Sequence, residues 1–224
     1  MADVETGLAK GRPLADSPVL RAAVSRVATR IVLPTGAVLF QKGDPAESFY
    51  LLDEGQIEIS VMSAGGKKLS LEVMAAPDAF GEIGMFAGVR SADARAISDC
   101  RLMVARRSDL MPLIRAEPSI ALLMIELLCA RLHSVNEKLE ERSFLPLPTR
   151  LARRLLHLSE KYDGAEGAIP LSQAELADFA GATREAVAKT LAQWRSQGWI
   201  DLSRGALRLA NRGALEAVAA QDDD

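Results

Sequence analysis

Hydrophobic positions change their spacing twice along this chain, and the changes divide it into three. From Thr29 to about Arg106 they come in short runs closed by turn residues. Arg30-Ile31-Val32-Leu33 runs into Pro34-Thr35-Gly36, Val38-Leu39-Phe40 into Lys42-Gly43-Asp44-Pro45, and Phe49-Tyr50-Leu51-Leu52 into Asp53-Glu54-Gly55. Ile57-Glu58-Ile59-Ser60-Val61 then leads to Gly65-Gly66, followed by Leu69-Ser70-Leu71-Glu72-Val73. Strands at intervals of about 8 to 12 residues with glycine punctuation predict an antiparallel barrel or jelly roll. From about Ser108 the period is helical. Ile125, Leu128, Leu132, Val135 and Leu139 alternate spacings of three and four, bordered by Glu126, Arg131, Glu137, Lys138, Glu140 and Glu141. A narrow apolar stripe flanked by charge is the pattern of a helix that pairs with its own copy.

The third part begins after Phe144-Leu145-Pro146-Leu147-Pro148, where two prolines end the long helix and predict a hinge. Thr149 is expected to cap a helix bearing Leu151, Leu155, Leu156 and Leu158, and residues 163–167 read as a loop. Ser172-Gln173-Ala174-Glu175 is a capping box, Gly181 permits a sharp turn, and Thr183 can cap a second helix that runs to Gln197 before Gly198. Helix, glycine turn and helix predict a helix-turn-helix. Trp199-Ile200-Asp201-Leu202, a turn at Ser203-Arg204-Gly205 and Ala206-Leu207-Arg208-Leu209 add the hairpin of a winged version. The fold class is therefore α+β. The boundaries are a loose segment over 1–18, a β-roll unit over 19–117 opening with a short helix from Val19, a pairing helix over 118–144, a hinge over 145–148, and a winged helix-turn-helix over 149–221.

Composition adds bounds. With 224 residues, 49% of them hydrophobic, two compact units are allowed. No stretch offers roughly 20 uncharged apolar residues, and no basic segment followed by an apolar run opens the chain, so a soluble cytoplasmic protein with no membrane partner is expected. Cys100 and Cys129 lack CxxC spacing and sit in apolar surroundings, predicting buried free thiols. Two cysteines cannot supply a four-thiolate iron–sulfur cluster within one chain. The formal net charge of −3 is unevenly spread: residues 149–221 carry 10 Lys and Arg against 8 Asp and Glu, and residues 222–224 are all aspartate. What positive charge there is belongs to the helix-turn-helix, where nucleic acid needs a local cluster and not a basic protein.

The densest chemistry lies in Phe80-Gly81-Glu82-Ile83-Gly84-Met85-Phe86-Ala87-Gly88-Val89-Arg90-Ser91-Ala92. Permissive glycines free backbone N–H groups to approach phosphate oxygens, a guanidinium can fork onto the same anion, and a carboxylate can accept from ribose hydroxyls. On the second helix of the helix-turn-helix, Arg184, Glu185 and Lys189 occupy the exposed face near the N-terminus, the end that enters a major groove. Arginine and lysine suit guanine O6 and N7, and glutamate accepts from cytosine N4, so a half-site containing G·C is expected. Thr183, Ser203 and Arg204 are candidates for phosphate contacts.

The stretch from Phe80 to Ala92 resembles the phosphate-binding cassette of cyclic-nucleotide-binding domains, and the chain from roughly 30 to 210 resembles the CRP/FNR family of bacterial transcription regulators. The resemblance implies that Glu82 holds the ribose 2′-hydroxyl, that Arg90 and Ser91 hold the cyclic phosphate, and that the backbone of Gly81, Ile83 and Gly84 lines the pocket. It implies that two residues of the long helix, here Val135 and Asn136, reach the base, one from each subunit, and that Arg184, Glu185 and Lys189 read bases. The implied effector is cyclic AMP or cyclic GMP, with no metal. The implied partners are double-stranded DNA and a second copy of the chain, with RNA polymerase a further candidate.

Two alternatives share parts of this pattern. A regulator that binds DNA without a nucleotide, or with another effector, is consistent with Val135, which cannot hydrogen-bond. A cupin-type metalloenzyme shares a jelly roll but needs several histidines on strands, and this chain has only His133 and His157, both in predicted helices. No serine, cysteine or lysine has a recognisable base partner, so no enzyme is expected. Arg90→Ala is expected to remove nucleotide binding and leave the fold intact.

Overall fold

The computed structural model describes residues 17–162, 168–203 and 205–221. The loose segment expected over 1–18 lies almost wholly outside them, as do the loop over 163–167 and Arg204.

A short helix α1 (Pro18–Ser25), capped by Ser17, leads into β1 (Ala28–Leu33), β2 (Val38–Phe40), β3 (Ser48–Glu54), β4 (Gln56–Met62), β5 (Lys68–Ala75) and β6 (Asp78–Phe80). One turn and a half of helix, α2 (Glu82–Ala87), precedes β7 (Asp93–Ala96) and β8 (Cys100–Arg106). The strands form two four-stranded antiparallel sheets, ordered β1-β8-β3-β6 and β2-β7-β4-β5. Period-two geometry explains why β3 reads as an unbroken apolar run. Phe49 and Leu51 point into one core with Leu20, Val24 and Met103, while Tyr50 and Leu52 point into a second, between the sheets, with Ile57, Phe80 and Leu102. A strand buried on both faces has no polar side to alternate.

Helices α3 (Arg107–Ala116) and α4 (Pro118–Phe144) close the first core. Ile120, Met124 and Leu127 of α4 are buried against the roll, whereas Leu122, Ile125, Leu132, Val135 and Leu139 are 54–62% exposed. Most of the stripe picked out by its spacing thus faces outward, with Leu128 half-buried and Val135 at the edge where α4 also borders the roll. By length and mean hydropathy (1.4) α4 matches a membrane span, although Glu126 and Arg131 interrupt it. Two apolar faces on one helix, one toward the core and one outward, account for that value. Cys100 is buried as expected, but Cys129 is exposed, because it lies on the outer side of α4.

Helix α5 (Leu147–Lys161) starts two residues earlier than Thr149. Pro146 occupies the cap and Pro148 the first turn, where a missing N–H costs nothing, and Thr149 is buried inside the helix and caps nothing. Next come β9 (Ala168–Ile169), α6 (Gln173–Ala180), α7 (Arg184–Ser196), the hairpin β10 (Ile200–Ser203) and β11 (Ala206–Leu209), and α8 (Arg212–Ala219). A third core joins Leu151, Leu155, Leu176, Val187, Leu191, Trp194, Ile200 and Leu215, and also takes in Val73 from β5. The helix-turn-helix unit is therefore packed against the roll.

Candidate functional site

Gly81 shapes the first candidate site. Its φ of 93° is left-handed, a conformation that glycine adopts freely, and it caps α2 so that Glu82 turns inward. A Cβ at Gly81 would lie 3.0 Å from Arg90 Nη1 and 3.0 Å from the Tyr50 ring. Gly84 is equally confined, its added Cβ meeting Ala46 Cβ at 2.9 Å. These glycines bring backbone, carboxylate and guanidinium together at the wall of a cleft of about 260 Å³. Gly81, Glu82, Ile83, Gly84, Arg90 and Ser91 all line it, as Val135 does from α4.

Arg90 is 4% exposed, its guanidinium 4.1 Å from the centroid of the Phe40 ring and 5.2 Å from that of Tyr50. Nη2 donates to Ser48 O at 2.9 Å and to Tyr50 Oη at 3.3 Å, and Nη1 to Gly81 O at 3.3 Å. Nε is buried without a partner among the described residues. Burial lowers the guanidinium's pKa, opposed by Tyr50, Asp44 and Glu82. Arg90 is thus part of the scaffold as well as an anion donor. In an alanine variant two carbonyls and an aromatic pair would lose their partner, so the variant tests the scaffold together with the ligand site.

Glu82 is 2% exposed, with Arg131 Nε 3.8 Å from Oε1. Burial raises its carboxyl above the usual value, and the Arg131 charge works against that. Arg131 also donates to Ala79 O at 2.8 Å and lies 3.3 Å from Asp78 Oδ1, so it ties α4 to the cleft floor. Sequence reasoning treated Arg131 as a border charge of the stripe; its one signal was a cation interrupting the most apolar stretch of the helix. Ser91 is exposed at the cleft, free to meet a ligand.

The base-contact pair divides. Val135 lines this chain's cleft, whereas Asn136 is exposed and points away from it, as the 100° step of a helix requires and as a pair that serves two subunits would. Arg131, Ser134, Val135 and Lys138 share the inward face, one or two turns apart, and Asn136 points off it. Ser134 was missed for the same reason: spacing gives the faces of a helix but not which of them meets the roll.

In the second candidate site the capping box is formed, Ser172 N donating to Glu175 Oε2 at 2.7 Å and Glu175 N to Ser172 Oγ at 3.3 Å. Gly181 turns the chain at φ 60°, and Thr183 Oγ1 accepts from Ala186 N at 3.3 Å as the cap of α7. Val187, Leu191 and Trp194 face the core, leaving Arg184, Glu185 and Lys189 exposed near the N-terminus. Glu185 and Lys189 form no ion pair with one another among the described residues. Ser203 is exposed at the hairpin turn, its Oγ donating to Ala206 O at 3.3 Å, and Arg204 lies outside the described residues.

Residues 30–117 match the cyclic nucleotide-binding domain family and residues 149–218 the Crp-like helix-turn-helix domain family. The chain is 31% identical over 191 residues to a CRP-like cAMP-activated global transcriptional regulator of Mycobacterium tuberculosis, covering 83% of this chain and 85% of that one. It is 31% identical over 194 residues to the cyclic AMP receptor protein of Thermus thermophilus, covering 85% and 88%. A solved CRP/FNR-family transcriptional regulator of Thermus thermophilus shares the fold with a TM-score of 0.77 at 24% identity, over 87% of this chain and 100% of that one.

Proposed function

We propose, from the premise that this chain belongs to the CRP/FNR family of transcription regulators, that it is a cytoplasmic homodimer binding a near-palindromic DNA site under control of a cyclic nucleotide. Its relatives are regulators and not enzymes. Cyclic AMP is the preferred ligand, because the relatives matched over most of their length are named for it, and cyclic GMP is the second candidate. The observation that carries the reading is the meeting of buried Glu82, buried Arg90 and the Gly81–Gly84 backbone on one cleft wall. There the cyclic phosphate would take the unpartnered Arg90 Nε and Ser91, and the ribose hydroxyl the Glu82 carboxylate. Two copies would pair along the outward stripe of α4, and Asn136 would then serve the partner's cleft.

A second reading keeps the DNA binding without the nucleotide. Val135 at a base-contact position and the engagement of Arg90 by Ser48 O and Gly81 O favour it.

Calorimetric titration with cyclic AMP and cyclic GMP separates the two. Arg90→Lys keeps the charge but loses the fork, and a charged hydrogen bond of about 1.5–3 kcal/mol corresponds to a loss of roughly 10- to 100-fold in nucleotide affinity. An unchanged affinity in this variant would remove Arg90 from the site. Silence from the unaltered protein with both nucleotides would leave the second reading.

A further inference from the structure

Glu72 is the one cleft-lining side chain, among the described residues, that is hydrogen-bonded to the helix-turn-helix unit. Its two oxygens go to different parts of the molecule. Oε2 accepts from Lys138 Nζ of α4 at 2.7 Å, and Oε1 lies 3.0 Å from His157 Nε2 of α5. Lys138 lines the same cleft and also donates to Leu71 O at 2.9 Å. A carboxylate accepts only, so the His157 ring carries a proton on Nε2. Burial alone would raise the Glu72 carboxyl, but the His157 bond and the Lys138 charge hold it well below the usual carboxylate range. It is an anion at any working pH and draws donors.

The surroundings make this contact a fastening. Val73, next along β5, is fully buried in the core of the helix-turn-helix unit, and Gln56 Nε2 donates to Lys161 O at 2.9 Å, at the far end of α5. Only Leu145 and Pro146 connect α4 to α5. Among the described residues, the DNA-binding unit is seated on the roll by contacts from β4, β5 and β6, Lys161 Nζ also lying 4.0 Å from Asp78 Oδ2. Of the hydrogen bonds between them, only that of Glu72 lies at the cleft.

We propose that Glu72 couples the cleft to the DNA-binding unit: a purine seated between β5 and α4 presents its amino group to Glu72 and a ring acceptor to Lys138, and in doing so releases His157. This rests on the cyclic-nucleotide reading above. Arg90 and Glu82 hold the phosphate and sugar at one end of the cleft, which leaves the base the end walled by Leu71, Glu72, Val135 and Lys138. Both adenine and guanine offer an N–H donor beside a ring acceptor, so the carboxylate and ammonium can meet either. A ligand shifts a two-state equilibrium only through a difference in its contacts with the two states, and exchange of His157 for the base at Glu72 is such a difference.

His157 lies outside the cleft and its side chain is 42% exposed, so it can be changed without touching the ligand wall. His157→Leu, which removes the donor, is expected to raise DNA affinity in the absence of nucleotide by roughly fivefold or more, the lower end of ordinary coupling. DNA affinity at saturating cyclic AMP stays at the unaltered value, and by reciprocity cyclic AMP itself binds tighter and not weaker. His157→Gln, which keeps a donor opposite Glu72, behaves as the unaltered protein. The test is fluorescence-anisotropy titration of an operator duplex with and without cyclic AMP, beside calorimetry of cyclic AMP, on the full-length dimer. A His157→Leu protein that binds cyclic AMP as before and shows unchanged DNA affinity in its absence overturns the coupling alone. Weaker cyclic AMP binding in that variant also overturns it, since His157 would then be propping the cleft. No heat from the unaltered protein sinks the cyclic-nucleotide reading, and the coupling with it.

Discussion

At the scale of single residues, the site is held together by charges that the fold keeps under tension. Glu82 is buried with its nearest cation 3.8 Å away, and burial raises its carboxyl. A carboxyl raised in the folded state costs stability wherever it is ionised, and the cost fades as pH falls through its folded value. Glu82→Gln is therefore expected to raise the melting temperature of the unliganded protein at neutral pH, with the gain shrinking on acidification. Cyclic AMP affinity falls in the same variant, because the acceptor for the ribose hydroxyl is weakened. Thermal unfolding across the acid range, beside calorimetry, measures both; a lower melting temperature at pH 7 would show Glu82 to be structural. The residue types of this site were legible because glycine, carboxylate and guanidinium within a dozen positions is a chemical statement in itself. Arg131, Ser134, Glu72 and Lys138 were not, since their membership depends on which face of α4 and β5 meets the cleft. The packing of distant segments decides that.

At the scale of elements, α4 carries two apolar faces on one helix. The inward one, Ile120, Met124 and Leu127, is satisfied, and the outward one, from Leu122 to Leu139, is not. Burying a leucine side chain contributes about 1.5–3 kcal/mol, and two-fold symmetry counts each position twice. Leu132, 62% exposed, is therefore expected to dominate pairing, and Leu132→Glu adds a desolvated like-charge pair to the lost burial. Sedimentation should show a dimer dissociation constant weakened by at least about 100-fold, with the fold retained because Leu132 touches no core. A dimer that persists at micromolar concentration would place the interface elsewhere. The heptad stripe, the capping box and the hairpin were legible because each is a local pattern with a local cause. The start of α5 was misplaced because Thr149 offers a capping hydroxyl but tertiary packing buries it. The three-residue β6 was too short to be noticed, whereas α8, capped by Asn211 and with Leu215 its one buried residue, was missed although its cap and apolar face stood in the sequence.

At the scale of the whole molecule, the order of units was written in the changes of hydrophobic period, but their seating was not. Val73 reads as an ordinary strand residue and ends in the core of the DNA-binding unit, a contact between segments some eighty residues apart with no local signature. The short link between α4 and α5 bears on how DNA would be met. If two copies pair along α4 as proposed, with α4 fixed to the roll by Arg131 and joined to α5 by two residues, the two recognition helices would be held near one separation and could not search independently. Paired helices of this kind sit about one turn of DNA apart, roughly 34 Å. A palindromic operator with half-sites at that spacing is expected to bind tightly, and inserting about five base pairs turns one half-site to the opposite face of the duplex. Affinity should then fall toward that for unrelated DNA, a loss on the order of 10³. Inserting a full turn restores the face but doubles the distance, and a two-residue linker spans no more than about 7 Å, so tight binding does not return. Anisotropy titrations on the three duplexes read this directly. If the full-turn insertion recovers the original affinity, the heads are tethered loosely, and the two-residue link between α4 and α5 does not fix their separation.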